Sequence, residues 1–176
     1  MMMGDYASPV EAATIIKDTV FETFGFTVNI GISSKKVLAK MASDFKKPNL
    51  VHTLFPEELP EKMWPLSISE LYMCGKSSAQ TLQKLGILTI GDLAKADPQL
   101  LSYHLKSHGV LLWEYANGID DSEVITTPQQ LKGIGNSTTL PQDALTYEDA
   151  VTVLRALSDK VAERLRDQER LAGMIS

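Results

Sequence analysis

Cysteine is nearly absent from this sequence: Cys74 stands alone among 176 residues. One thiol can build neither a disulfide framework nor a zinc site, so a reducing cytoplasm is the expected setting. Long apolar runs are missing too. No stretch approaches the roughly 20 apolar residues of a membrane helix, and the opening MMMGDYASP lacks a cationic region followed by an apolar one, so neither a leader nor a membrane partner is expected. Positive charge is not in excess. Seventeen Lys and Arg against 22 Asp and Glu leave a net charge of −5, which argues against a generally basic nucleic-acid binder and shifts attention to local patches. A disorder signature is lacking as well, since 44% apolar and 22% charged residues suit one or two compact domains with real cores.

What is present concentrates in residues 31–49, GISSKKVLAKMASDFKKPN. Ser33 and Ser34 are good N-cap residues, and Val37, Leu38, Met41 and Phe45 follow at helical spacing, which predicts a helix with one buried face. Lys36 and Lys40 lie four apart and Lys47 seven further on, so all three point along the opposite face if the helix runs that far. Pro48 stops the helix. The residue before a proline is driven out of the α region, which sets Lys47 at a helix end within reach of an external anion. Five lysines (35, 36, 40, 46 and 47) face one acid, Asp44. Spacing alone leaves two readings open, an anion site and a solvated basic face.

Over nearly twenty positions this stretch resembles the end of the palm domain in Y-family translesion DNA polymerases, the DinB- and UmuC-like (ImpB/MucB/SamB) enzymes. There a strand, a G-I-S/G turn and an L-A-K-M-A-S-D helix precede K-P-N/D. The resemblance implies that Lys47, just before the proline, contacts the triphosphate of an incoming deoxynucleoside triphosphate, with Lys36 and Lys40 near the DNA. A point-charge lysine suits that task, because phosphoryl transfer is catalysed mainly by positioning and by neutralising phosphate charge. Also implied are template-directed nucleotide addition past lesions, a place in DNA repair and the SOS response, primer-template DNA as partner and Mg2+ as cofactor of the intact enzyme.

Along the chain, Val10, Ala13, Ile15, Ile16, Val20 and Phe24 keep helical period, Pro9 sits near a helix start and Gly25 ends it. Phe26 to Ile32 alternates apolar and polar residues and predicts a strand with one buried face, and Val51 to Leu54 predicts another. That is a piece of an α/β layer, which the resemblance makes the C-terminal part of the palm, residues 1–55. Residues 56–118 read as short helices. Leu66 to Tyr72 forms one, Met73 to Lys76 a tight turn, and Ser77 or Ser78 caps the next, which runs from Ala79 to Leu85 and stops at Gly86. Leu71, Leu82, Leu85 and Ile87 are expected to pack together. Helix, glycine turn, helix is the pattern of a helix-hairpin-helix, whose backbone N–H groups hold a DNA phosphate without reading sequence. Gly75 permits close approach, Lys76 adds charge, and Met73 stands where the usual motif has its first glycine; a purely structural αα-corner is the alternative. Thr89 to Asp92 resembles a capping box and Asp97-Pro98 another helix start. Lys106, Ser107 and Gly109 form a second, degenerate hairpin able to meet a second phosphate, with Trp113 and Tyr115 filling the helical core. His104 and His108 have no neighbour in sequence for acid–base or metal work and read as structural or solvated.

Residues 119–131 are polar, contain Pro128 and read as a linker. From Lys132 to Leu140 small and hydroxyl residues predict a strand in which Asn136, Ser137 and Thr138 approach a phosphate backbone closely. Thr146 and Asp149 cap a long helix with Val151, Leu154, Leu157, Val161 and Leu165 on its buried stripe, while Arg155, Lys160, Arg164 and Arg166 pair with acids in solvent. The resemblance makes 56–118 the thumb and 132–176 the start of the little finger, without a closed core of its own. The expected fold class is an α/β (α+β) palm fragment, then a small all-α helix-hairpin-helix thumb and the start of an α+β little finger domain.

Nucleotide addition by this family requires paired carboxylates on two magnesium ions, one acid near the start of the palm and an S-x-D-E strand in its middle. Neither is found here: Ser69-Glu70 lies in a helical context and Asp120-Asp121 in the linker. The expectation is an internal stretch of a translesion polymerase, inactive alone, with no catalytic or metal-binding residue of its own and a processivity clamp reached through a segment outside these residues. A non-catalytic helix-hairpin-helix module that holds DNA for a repair or recombination complex is the other class left open.

Overall fold

Ser8 starts the first helix in the computed structural model, which describes residues 8–127 and 133–175. Its Oγ accepts a hydrogen bond from Glu11 N at 3.2 Å, Pro9 takes the first helical position, and Gly25 closes α1 (Pro9–Phe24) at φ 71°. Of the apolar positions on α1 only Ala13 is buried, and Val10, Ile15, Ile16 and Phe24 are exposed. The expected strand from Phe26 shrinks to β1 (Ile30–Ile32), which pairs in parallel with β2 (Val51–Thr53), Gly31 opposite His52. Phe26 to Asn29 alternate correctly but have no ladder to join, and alternation makes a strand only where a partner accepts its hydrogen bonds.

Between the strands runs α2 (Lys36–Ser43), pressed against β1 so closely that a Cβ on Gly31 would lie 1.9 Å from the Ala39 carbonyl oxygen. The expected serine cap is not used. Lys35 is the N-cap residue and gives no side-chain bond; instead Asp120 Oδ2, 83 positions away, accepts from Val37 N at 2.9 Å. Val37, Leu38 and Met41 are buried as the period predicts, Ala42 is buried beside them, and Phe45 is half-buried.

That buried face opens onto a single apolar interior. Leu54, Leu59, Met63, Ile68, Leu71, Leu82, Ile90, Leu93, Leu101 and Leu112 continue it without a break from α2 across residues 55–56. Gly118, at φ 71°, seals one corner: a Cβ there would be 2.9 Å from Leu59 Cδ1 and 3.4 Å from Leu38 Cδ1. After α3 (Leu59–Lys62) the expected helix over 66–72 is only a 3-10 turn, Ile68–Glu70. Its backbone is claimed elsewhere, since Ile68 N bonds Leu88 O at 2.9 Å and Leu66 O accepts from Ile90 N at 3.0 Å. Gly75, not a serine, is the N-cap of α4 (Lys76–Lys84). Thr89 and Asp92 form the predicted capping box of α5 (Ile90–Ala94), and Asp97 caps α6 (Pro98–Leu105). Lys106 alone, at φ 55°, joins α6 to α7 (Ser107–Ala116), so Ser107 and Gly109 belong to the helix and not to a loop.

Residues 125–176 form a separate compact unit. In it α8 (Tyr147–Asp167) starts at the predicted Thr146–Asp149 capping box. The expected buried stripe is not buried: Leu154 is 61% exposed, and Val151, Leu157, Val161 and Leu165 are half-buried. No strand forms over 133–140, because no described segment of this unit offers a ladder; Lys132 lies outside the described residues. Along α8 no acid lies within ion-pair distance of Arg155, Lys160, Arg164 or Arg166 among the described residues, and Arg164 Nη1 donates to Gly135 O at 3.0 Å.

Candidate functional site

Because α2 stops at Ser43, Lys47 lies in the turn beyond it and not on the helix face that carries Lys36. The turn is nevertheless held firmly. Asn29 Nδ2 donates to Lys46 O at 2.9 Å and Ser43 O at 3.3 Å, and its Oδ1 accepts from Leu50 N at 3.1 Å. His52 Nε2 also meets Lys46 O, at 2.8 Å, with its ring edge-on to Phe45. The backbone under Lys47 is thereby fixed from two sides while its ammonium stays at the surface.

Asp44 gathers the charge. One carboxylate oxygen takes Lys47 Nζ at 2.8 Å and the other takes Lys40 Nζ, and these two hydrogen bonds hold the Asp44 carboxyl below its ordinary value. Lys36 is brought to a different place: its ammonium donates to Glu123 O at 3.0 Å, while Lys35 lies 3.6 Å from Asp121. Beside Lys47 is a depression of about 340 Å3, lined by Thr27, Asn29, Ser43 and Asn49, with the buried Asn49 Oδ1 left without a partner among the described residues. Of the basic cluster, then, Lys40 and Lys47 share one corner, and Lys36 serves the segment after α7.

The first hairpin presents a different chemistry. Ala79 N bonds Gly75 O, so the N–H groups of Lys76, Ser77 and Ser78 begin the helix without partners among the described residues. Gly75 has an ordinary φ of −69°, and a Cβ there would meet nothing within 4 Å. The fold itself therefore does not require glycine at this position. Met73 adopts φ 69° with its side chain half in solvent, and Tyr72 stacks on Tyr115. Lys106 and Ser107 are exposed at the α6–α7 junction, whereas Gly109 is buried and its missing Cβ would sit 2.4 Å from the Leu101 carbonyl oxygen. That glycine is explained by the helix crossing. Asn136, Ser137 and Thr138 lie in irregular, largely exposed backbone. His104 is exposed and edge-on to Tyr103, and His108 is half-buried.

Sequence reasoning missed Asn29, His52 and Asp120, whose partners are 17, 6 and 83 positions away. Asp44 was legible as an i,i+4 partner of Lys40. No group of three or more His, Cys, Asp or Glu among the described residues is placed to hold a metal. Asp120 is spent on α2, and Glu70 accepts from Ser67 N. The carboxylates described here do not fit a pair of magnesium ions.

A chimera of Y-family DNA polymerases has the same fold, at TM-score 0.71 over 88% of this chain and 44% of its own, with 24% identity. The chain thus shares the fold of part of a Y-family polymerase structure. Two segments match one family directly, residues 2–44 the impB/mucB/samB family and residues 131–176 the impB/mucB/samB family C-terminal domain. The chain belongs to the impB/mucB/samB family. It is 46% identical over 167 residues to DNA polymerase IV of Clostridium acetobutylicum, covering 95% of this chain and 42% of that protein. DNA polymerase IV of Acetivibrio thermocellus is 36% identical over 94% of the chain and 41% of its own length, and DNA polymerase IV 1 of Bacillus subtilis 37% over 94% and 40%. The chain spans about two fifths of the length of these relatives.

Proposed function

We propose that this chain supplies nucleotide-phosphate and DNA-backbone contacts to a translesion DNA polymerase. The observation that carries this reading is the 46% identity to a protein named DNA polymerase IV, sustained over 95% of the chain. In this reading Lys47 meets the triphosphate of the incoming deoxynucleotide, and Lys40 stands beside it. The start of α4, with Gly75, Lys76, Ser77 and Ser78, holds one phosphate of the primer-template, and Lys106 and Ser107 at the start of α7 hold another. Lys36 adds a DNA-backbone contact in the first unit and Asn136, Ser137 and Thr138 add others in the second, while Gly109 supports the second hairpin from within. Support for the first hairpin comes from unpartnered N–H groups beside a glycine that the fold does not need.

The palm ends near residue 55, the thumb covers 56–118, a linker covers 119–131, and the little finger begins at 132. Mg2+ belongs to the intact enzyme and is held by carboxylates other than those described here. The enzyme acts in the cytoplasm, in DNA repair and the SOS response, and a processivity clamp engages it through another segment. No helix among the described residues is long and apolar enough to cross a membrane.

The test is a titration of the 176-residue chain with fluorescent primer-template over a series of salt concentrations. Lys76→Ala weakens binding uniformly across sequences and lowers the slope of log K against log salt by about 1, while Lys47→Ala leaves DNA affinity nearly unchanged and weakens nucleotide binding. If Lys47→Ala removes DNA affinity and leaves nucleotide binding alone, the chain is a non-catalytic helix-hairpin-helix module instead.

A further inference from the structure

We infer that Asp44 is an internal competitor for the phosphate site, holding Lys40 and Lys47 ready between its two oxygens until a polyphosphate displaces it. The inference rests on the reading of Lys47 as a nucleotide-phosphate ligand and adds a residue that sets the affinity of that site.

Three observations meet at this corner. Each ammonium is taken by a different oxygen of one carboxylate, so the two cations bracket a single anionic group, an arrangement that two oxygens of a phosphate can take over. The three side chains are all about half exposed, at 47% for Lys40, 45% for Asp44 and 58% for Lys47, so an incoming anion reaches them without any opening of the fold. The backbone beneath is fixed by Asn29 and His52, so exchange of one anion for another asks only for rotation of the Asp44 side chain.

Two opposing effects decide what Asp44 does to affinity. It orients the lysines, which favours binding, and it cancels one of their charges, which opposes binding. Exposed ion pairs orient weakly, because side-chain entropy and solvent screening remove most of their worth. A negative charge in the same place as a multiply charged ligand acts against every charge that ligand carries. Competition therefore outweighs orientation, and the effect grows with ligand charge. Asp44 keeps the site from being held by whichever anion is at hand, and it gives the polyphosphate a competitor that favours its departure.

The experiment titrates the full chain with inorganic tripolyphosphate and, separately, with inorganic phosphate, by calorimetry at low salt. Asp44→Asn tightens tripolyphosphate about three- to tenfold and phosphate by less, while Asp44→Glu stays near the native affinity because it restores the competing carboxylate. In the Lys47→Ala background the gain from Asp44→Asn shrinks. Unchanged or weakened tripolyphosphate binding in Asp44→Asn, with Lys47→Ala still weakening it, overturns the inference and leaves the nucleotide reading standing. If Lys47→Ala has no effect in either background, or no form of the chain binds tripolyphosphate, the nucleotide reading itself fails. Circular dichroism of each variant checks that α2 is intact.

Discussion

Residues 8–124 and residues 133–175 start from local signals of equal quality and end differently. Thr89–Asp92 and Thr146–Asp149 are the same capping box, each with its reciprocal hydrogen bonds in place. The first opens a helix whose Ile90, Leu93 and Ala94 are buried; the second opens a helix of 21 residues with no buried residue at all. Caps and periodicity specify that a helix forms and which side is apolar. Burial requires a second surface, and that is a property of the tertiary arrangement. In the first unit α2 and the helices α3 to α7 contribute to one interior; in the second, no described residue is buried.

The sharpest way to break this comparison is to cut the same side chain in both units. Leu38 is fully buried, and Leu38→Ala is expected to lower unfolding free energy by about 2 to 5 kcal/mol. Leu157 is half-buried on α8, and Leu157→Ala is expected to cost less than about 1 kcal/mol. Trp64 and Trp113 both pack against the first core, so urea unfolding followed by tryptophan fluorescence reads Leu38→Ala directly and should not register Leu157→Ala. Amide exchange supplies the complementary view: α8 amides exchange faster than those of α2 and α7. Equal protection of α8 and α7 would show that burial does not separate the units.

A second test concerns what ties the polar segment after α7 to the first unit. Asp120→Ala removes the long-range cap from Val37 N and is expected to cost about 1 kcal/mol near neutral pH. Burial pulls the Asp120 carboxyl upward, but hydrogen bonds from Ser122 and from Val37 N, helped by the Lys36 charge, outweigh it and leave the group below its ordinary value. A carboxyl depressed by folding gives stability above its unfolded pKa and loses it as pH falls through the folded one. The gap between native and variant chains is therefore full at pH 6 and closes below about pH 4. A gap that is constant down to pH 3 would mean that Asp120 acts through packing and not as a charged cap.

Sequence sufficed where cause and effect lie within one turn of chain. The Thr89, Asp97 and Thr146 caps, the Gly25 stop and the buried face of α2 are all local. It misled where a distant group decides. Ser33 and Ser34 lost the α2 cap to Asp120, the 66–72 helix lost its backbone to residues 88–90, and of the strands expected over 26–32 and 132–140 only Ile30–Ile32 finds a partner among the described residues. At the candidate site the lysines were legible as charge, and Asp44 as a neighbour of Lys40. The clamp on Lys46 by Asn29 and His52 was not, because β1 and β2 meet only in the folded chain.

The smallest expected effect on stability separates the two explanations of a glycine. Gly31, Gly109 and Gly118 are glycines because a Cβ would strike neighbouring atoms, so their reason lies inside the protein. Gly75 faces open space at an ordinary φ, so no clash explains it, and its place as the N-cap of α4 is the local reason for glycine there. Gly75→Ala loses the preference of an N-cap for glycine over alanine and gains a comparable amount from a less flexible unfolded chain; the two nearly cancel, and stability should move by less than about 0.5 kcal/mol. DNA affinity should behave otherwise. The new methyl group stands where a phosphate must approach the N–H groups of Lys76, Ser77 and Ser78, and several-fold weaker binding of primer-template is expected with the urea midpoint unchanged. Weaker binding at constant stability places the reason for this glycine outside the chain, on a nucleic-acid backbone. Unchanged binding makes the turn a structural corner like the others, and leaves Lys76 as the only ligand that the first hairpin offers.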